Sequence, residues 1–173
     1  VIPIPRSGDE FIDPIRGQRI VFRKTAKDTK GNFVEVEAFY QPASTAPPAH
    51  FHPNQEEYFK VLSGSIHVRV YGQVKIYHTN EFFQISAGVE HEMWNGGNKE
   101  THLLWKIRPA LRTDEFLETM LSLGQVRKTY QKGVRSLLQT AVIMQQYQQE
   151  FRLAKPAPFI QKILLAILAP IGR

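Results

Sequence analysis

The sequence predicts a small antiparallel β-barrel or sandwich followed by a helical tail. Short alternating or apolar runs fill the stretch from Gln18 to Pro109, turn residues separate them at short intervals, and helical periodicity begins after Pro109. Strands this short hide their edges by closing into a barrel or by packing as two sheets. The 173 residues suit one domain with an appended segment.

Two runs at the start of the β region predict a hairpin. RIVFRKT (19–25) and NFVEVEAFYQP (32–42) are joined by KDTKG, which supplies Asp, Lys and Gly for a turn. Apolar side chains on alternate positions of the second run share one face, as expected of a half-buried strand: Val34, Val36, Ala38 and Tyr40. Later runs of the same kind are YFKVLSG, SIHVRVY, VKIYH, EFFQISAG and THLLWKIRP. We therefore expect about seven to nine strands in all.

Three helices are predicted after the strands. TDEFLETMLSL (113–123) has Thr113 as a candidate N-cap, acid in its first turn and Gly124 as a stop. SLLQTAVIMQQYQQEFRLA (136–154) and FIQKILLAILAP (159–170) follow, the last being apolar around most of its circumference.

The change of periodicity divides the chain into three parts. We expect an N-terminal arm at residues 1–17, a β-barrel at 18–109 and a helical extension at 110–173.

Composition narrows the chemistry and the partners. The absence of cysteine excludes disulfides, thiol nucleophiles and Cys-type zinc sites, and leaves imidazole and carboxylate as the good metal ligands. The net charge is +6, but Lys and Arg are scattered, so no nucleic-acid partner is expected. The longest apolar stretch, which begins at Ile163, is far shorter than the ~20 residues of a membrane-spanning helix. We expect a soluble, cytoplasmic protein.

The segment HFHPNQEEYFKVLSG (50–64) carries the candidate chemistry. His50 and His52 lie on the same side of an extended strand, so both imidazoles can bind one cation. After the PNQE turn, Glu57 can fold back beside them, whereas Glu56 is expected to point away. His91 enters from a later strand. Three imidazoles and one carboxylate suit one divalent transition metal, Fe, Mn, Ni, Co, Cu or Zn, and leave an octahedral ion two open positions.

These residues also carry a resemblance to the cupin superfamily. Its two motifs are matched by seven residues at the family spacing, within about residues 20–108: His50, His52, Glu57, Gly64, Gly88, His91 and Asn95. The chain departs from the family pattern at Asn80, where Gly is usual, and at Ser86, where Pro is usual. Asn tolerates positive φ well, so the turn at Asn80 is still expected.

The resemblance implies a single-domain cupin of the conserved-barrel type, an antiparallel jelly roll with a C-terminal helical extension. It implies that His50, His52, Glu57 and His91 are the metal ligands inside the barrel. It also implies a homodimer, because arms and edge strands of such proteins often pair across subunits.

Two functions follow as hypotheses. The first is a metal-dependent enzyme, dioxygenase-like or isomerase-like, that acts on a small organic molecule. The alternative is a non-catalytic cupin that binds or senses a small ligand while its tail contacts a partner or a membrane surface. A metal-free sugar-nucleotide epimerase is a remote third, which the intact ligand set disfavours. No acid or base beyond the four ligands is identified as catalytic.

Other side chains have two interpretations each. A set of large side chains either lines the pocket mouth or fills the barrel core: Tyr40, Phe59, Phe83, Met93 and Trp105. Arg69 and Lys106 would meet a substrate carboxylate only if they faced inward, which the alternation of Arg69 with apolar residues disfavours. His102 is expected to point to solvent, and His67 and His78 are expected either at the surface or with their hydrogen bonds satisfied inside the fold.

The tail has three interpretations. Its helices pack on the barrel end or on another subunit, or they form a lid over the barrel mouth, or the last helix lies on a membrane surface with Lys155, Lys162 and Arg173 at its basic edge.

Overall fold

The computed structural model describes residues 4–129, 140, 142–155 and 166. In this part of the chain, ten strands precede the first helix: β1 Glu10–Asp13, β2 Gln18–Lys24, β3 Val34–Tyr40, β4 His50–Phe51, β5 Glu56–Ser63, β6 Ser65–Val70, β7 Gln73–His78, β8 Phe82–Ile85, β9 His91–Trp94 and β10 Thr101–Arg108. Helix α1, Thr113–Thr129, and strand β11, Arg152–Leu153, follow.

The strands form two antiparallel sheets. One has the order β1-β2-β3-β10-β5-β8 and the other the order β11-β4-β9-β6-β7. Side chains from both sheets meet in one apolar core, which includes Phe22 and Val36 from the first sheet and Ile66 and Val68 from the second. The predicted all-β barrel with a helical extension is therefore confirmed.

Strand β3 shows the predicted alternation. Val34, Val36, Ala38 and Tyr40 are buried, while the intervening residues are half-buried. The predicted hairpin with β2 is also present, and it pairs Ile20 with Ala38 and Phe22 with Val36. The alternation of polar and apolar residues was sufficient to predict the buried face, because one face of each strand packs in the core.

Strand β1 lies within the stretch expected to be an arm. It pairs with β2 of the same chain, from Glu10 opposite Val21 to Asp13 opposite Gln18. The Asp13 carboxylate accepts hydrogen bonds from the backbone N–H groups of Ile15 and Arg16, at 2.9 and 3.2 Å, and so closes the turn between the two strands.

Helix α1 is longer than predicted, because it continues through Gly124 to Thr129. A glycine inside a helix costs only about 1 kcal/mol, which the neighbouring helix formers offset. Thr113, the predicted N-cap, is the first residue of the helix. The Thr113 hydroxyl accepts a hydrogen bond from Gln55 Nε2 at 2.6 Å and thereby ties the helix start to the barrel.

The second predicted helix ends early. Residues 142–146 are helical, a turn occupies 147–150, and residues 152–153 form β11. Helix to residue 154 was expected, but β11 instead pairs with β4, with Arg152 opposite Phe51 and Leu153 opposite His50. Residues 136–139 of this prediction, and the third predicted helix apart from Ala166, fall outside the described residues. Within the described part, no helix is long and apolar enough to cross a membrane.

Candidate metal centre

Three histidines meet on neighbouring strands of the second sheet. His50 of β4 pairs directly with His91, the first residue of β9, and His52 follows β4. The ring centroids of His50 and His91 lie 4.4 Å apart, and that of His52 lies 5.4 Å from His50 and 5.5 Å from His91. One ring nitrogen from each lies within 4.8 Å of the others, which is close enough for all three to bind one ion.

Glu57 reaches this group from β5 of the other sheet. Its Oε1 lies 3.3 Å from His52 Nε2, and its Oε2 lies 3.0 Å from His91 Nε2. All four side chains are buried, and Glu57 is 1% exposed. Glu56 contacts none of the three histidines, and its carboxylate accepts a hydrogen bond from the Tyr58 hydroxyl. The four residues predicted as ligands are therefore neighbours in the fold.

Backbone carbonyls orient each imidazole. The Nδ1 atoms of His50, His52 and His91 contact the carbonyl oxygens of Pro48 at 2.9 Å, Glu150 at 2.6 Å and Val89 at 3.0 Å. A carbonyl oxygen only accepts hydrogen bonds, so each Nδ1 carries the proton. The Nε2 lone pairs are left for a ligand, which is the arrangement that metal-binding histidines require.

Electrostatics at the centre favours neutral imidazoles at His50 and His52 beside an ionised carboxylate. Burial, together with the neighbouring histidines, lowers the pKa of His50 well below its usual value, and burial also lowers the pKa of His52. Burial alone would raise the pKa of Glu57, but the adjacent imidazoles of His52 and His91 lower it to about 2. Burial opposes the charged form of His91 as well, yet the contact with Glu57 raises its pKa.

This arrangement fits a cation. His52 Nε2 and Glu57 Oε2 are buried atoms without a well-oriented hydrogen-bond partner in the described structure. With Nδ1 already donating, an uncharged His91 would place its Nε2 lone pair against a carboxylate oxygen 3.0 Å away. That contact is unfavourable unless a proton or a metal ion lies between the two atoms. The residues therefore suit a transition metal that binds nitrogen and oxygen ligands.

Trp105 orients the carboxylate. It lies on β10, and its Nε1–H donates to Glu57 Oε1 at 3.2 Å. The sequence predicts Trp105 at the pocket mouth or in the core, but it does not predict this hydrogen bond. A large residue on a strand does not indicate which carboxylate its N–H group contacts.

The C-terminal strap, defined here as residues 150–154, also contacts the centre. The Glu150 carbonyl accepts from His52 Nδ1, and the Phe151 ring stacks on His50 with centroids 4.7 Å apart. Leu153 pairs with His50 in the sheet, and Ala154 N–H donates to the Ala49 carbonyl at 2.8 Å. These contacts were not predicted, because they depend on a backbone group and on a tertiary pairing.

A cavity of about 310 Å³ opens above the four residues. Helix α1 and the tail supply much of its apolar wall, with Phe116, Leu117, Met120, Met144 and Phe151 among the described lining residues. Tyr40, Met93 and Trp105 line the cavity, whereas Phe59 and Phe83 stack on each other in the core with centroids 4.6 Å apart. These contacts agree both with a tail that packs on the barrel end and with a lid, while the last predicted helix lies outside the described residues apart from Ala166.

Other candidate side chains are occupied elsewhere. Arg69 pairs with Glu92, and Lys106 pairs with Glu35 at 3.2 Å. His102 contacts Glu37 at 2.8 Å and His67 stacks on Trp94 with centroids 5.5 Å apart, while His78 is exposed. None of these side chains lines the cavity, but His67 and His102 are half-buried rather than fully at the surface.

The remaining motif residues shape the turns around the centre. Asn80 has φ of 71°, as expected where the family has glycine. A Cβ on Gly64 would lie 2.9 Å from the Glu100 carbonyl oxygen, so a side chain does not fit there. The Asn95 amide donates to the carbonyls of Tyr40 and Lys99, at 2.9 and 2.7 Å, and holds the end of β9 in place.

The match to a family model decides the classification. Residues 36–107 match the model described as Cupin domain, Cupin_2. This part of the chain is a cupin domain. This span contains all four candidate ligands and agrees with the resemblance found in the sequence.

Solved structures show the same fold. An uncharacterised Klebsiella pneumoniae protein with a double-stranded β-helix domain is similar with a TM-score of 0.50 and 17% identity, over 59% of this chain and 86% of that chain. KdgF from Halomonas sp. is similar with a TM-score of 0.50 and 12% identity, over 57% of this chain and 84% of that chain.

Two curated fungal proteins are similar in sequence. The probable oxidoreductase virH of Hypocrea virens is 25% identical over 80% of this chain and 58% of its own length. An oxidoreductase of Arthrobotrys oligospora is 34% identical over 48% of this chain and 32% of its own length. The chain thus spans less than two thirds of either relative.

Proposed function

We propose that this cupin binds one divalent transition metal through His50, His52, Glu57 and His91 and is an oxidoreductase of the dioxygenase type. The observation that carries the proposal is the convergence of three Nδ1-protonated imidazoles on one buried carboxylate at the cavity floor. A metal bound there would supply redox and Lewis-acid chemistry to a substrate in the cavity.

The oxidoreductase names of both fungal relatives support this class over an isomerase. Dioxygen is the oxidant in the proposed reaction. Both of its oxygen atoms enter the organic substrate, whose carbons supply the electrons, so the reaction balances without an external reductant. The expected stoichiometry is one dioxygen consumed for each substrate molecule.

The protein's own groups have defined tasks in this proposal. The carbonyls of Pro48, Val89 and Glu150 keep the Nε2 lone pairs directed at the metal position. Burial and the nearby Glu57 carboxylate raise the pKa of the Tyr40 phenol, so it keeps its proton at neutral pH and can donate to a substrate oxygen. The apolar wall from α1 and the strap excludes water from the same space.

Dioxygen uptake tests the proposal. Protein loaded anaerobically with each candidate metal would be mixed with a panel of small enols, phenols and diketones in an oxygen electrode. We expect uptake without added reductant, equal in moles to substrate lost, and abolished in His91→Ala. Glu56→Ala is the matched control and should consume dioxygen like the wild type.

Two results would contradict the proposal. Conversion of a substrate without dioxygen uptake would indicate an isomerase-like or other non-redox reaction. Stoichiometric ligand binding with no conversion under any metal would favour a non-catalytic, ligand-sensing cupin.

A further inference from the structure

We propose that the substrate is a compact, largely apolar organic molecule, such as an aromatic ring system, with its oxygen atoms grouped at one end. This inference rests on the proposed function, because it assigns the substrate class of the same site. It is carried by the uneven distribution of polar groups around the cavity.

The part of the cavity wall contributed by α1 and the tail is mostly apolar. Its described lining residues are Thr140 and seven apolar side chains: Phe116, Leu117, Met120, Leu121, Met144, Phe151 and Leu153. Phe116 and Phe151 contact each other with ring centroids 5.2 Å apart, and Phe151 in turn stacks on His50. The apolar wall therefore continues to the edge of the metal centre, and a ring bound there would stack against Phe151.

Most of the polar side chains that line the cavity, though not Thr140 of the tail, lie on its barrel side. Tyr40 of β3 accepts a hydrogen bond from Gln18 Nε2 at 3.1 Å, and within the described chain its own O–H has no recorded acceptor. Tyr40 and Glu57 both line this side of the cavity. The oxygen-bearing end of a ligand is thus expected between the phenol and the metal ligands, where both can contact it.

Charge at the cavity margin is already balanced. Arg16 lines the cavity, and its guanidinium contacts the Asp13 carboxylate at 3.4 Å. A ligand with a single polar end matches the grouping of polar side chains on the barrel side. A sugar or other polyol does not, because hydroxyls against the α1 wall would lose their water without gaining a partner.

The volume of the cavity agrees with this class of substrate. A cavity of about 310 Å³ lies at the lower end of the range for small-molecule sites. It suits a fused bicyclic ring or a compound of similar bulk.

Binding of 1-naphthol and glucose to metal-free protein tests the inference. 1-Naphthol has an apolar ring system with one oxygen atom at its edge, whereas glucose carries hydroxyl groups around its whole ring. Isothermal titration after chelator treatment should detect 1-naphthol, and excess glucose should not compete. Metal-free protein is used so that the apolar wall is tested separately from the metal.

Two variants test where in the cavity the ligand binds. Met120→Gln keeps a long unbranched side chain but puts an amide on the apolar wall, and should weaken 1-naphthol binding at least tenfold. Tyr40→Phe should weaken it severalfold by removing the oxygen contact. Ile76→Gln, on exposed strand β7, is the matched control and should bind as the wild type does. Thermal melts would confirm that each variant is folded.

Three results would overturn the substrate class: no 1-naphthol binding, effective competition by glucose, or unchanged affinity in Met120→Gln. Metal content, measured on the same preparations before chelation, keeps the two proposals apart. Metal with no 1-naphthol binding would contradict this inference alone, whereas 1-naphthol binding by protein that takes up no metal would contradict the proposed function alone.

Discussion

At the scale of single residues, the orientation of Glu57 depends on Trp105. The indole N–H donates to Oε1, and this carboxylate also lies beside His52 and His91. We predict that Trp105→Phe weakens metal binding roughly tenfold, because groups that orient ligands typically contribute 10- to 100-fold in affinity. Titration against a competing chelator measures the change. Trp94→Phe, on the opposite side of its sheet from the ligands, is the control, and equal affinities in the two variants would contradict the role of Trp105.

Three of the four candidate ligands could be predicted from local rules, and His91 from the spacing of the cupin motifs. His50 and His52 share a face through strand alternation, and the PNQE turn returns the chain at Glu57. The Pro48 and Val89 carbonyls lie two residues before the histidines that they orient. The Glu150 carbonyl lies 98 residues from His52 and is a backbone group, so no residue type marks its position.

At the scale of elements, the C-terminal strap and the metal centre are joined. Residues 150–154 contact His50 and His52 through a carbonyl, an aromatic ring and a strand pairing. Any ion that binds these histidines in this orientation must also stabilise the strap, because coupling between two sites is reciprocal.

Hydrogen exchange tests this coupling. We predict that adding metal slows amide exchange at residues 150–154 several-fold, while β7, at the far edge of the same sheet, is unchanged. Glu57→Gln, with its metal ligand weakened, should show little effect of added metal on the strap. Protection confined to the segments around His50 and His91 would refute the coupling.

The strands were easier to predict than the tail. Strand β3 has one face in the core, so its sequence alternates, and its face was predicted residue by residue. Strand β11 has two residues and exists because the edge of β4 offers backbone partners to it. Arg152 and Leu153 belong to a helical sequence pattern, but the tertiary contact with β4 outweighs the helical propensity of this segment. Helix α1 continues past Gly124 for the related reason that one unfavourable residue does not end a helix.

At the scale of the whole molecule, the barrel core should set stability independently of the metal centre. Phe22 is fully buried, and Phe11 contacts it edge-on with centroids 5.9 Å apart. We predict that Phe22→Ala lowers the free energy of unfolding by about 3–5 kcal/mol, the usual cost of a large cavity. Phe82→Ala, at a ring that is 68% exposed, should change it by less than about 0.5 kcal/mol. Urea denaturation of the metal-free proteins compares the two, and similar losses would contradict the assigned core.

The assembly of the molecule stays a prediction. The cupin resemblance implies a homodimer, and light scattering coupled to size exclusion should give twice the chain mass. Strand β1 is already paired with β2 of its own chain, so a dimer would have to use surfaces other than the β2-facing edge of β1.

Metal content per chain tests the central claim most directly. Protein purified without a metal-binding tag, and analysed by inductively coupled plasma mass spectrometry, should contain close to one Fe, Mn, Ni, Co, Cu or Zn per chain. His52→Ala, His91→Ala and Glu57→Ala should lose it, while Glu56→Ala should retain it. Absence of metal even after anaerobic loading with each ion, or loss in Glu56→Ala with retention in Glu57→Ala, would contradict the assignment.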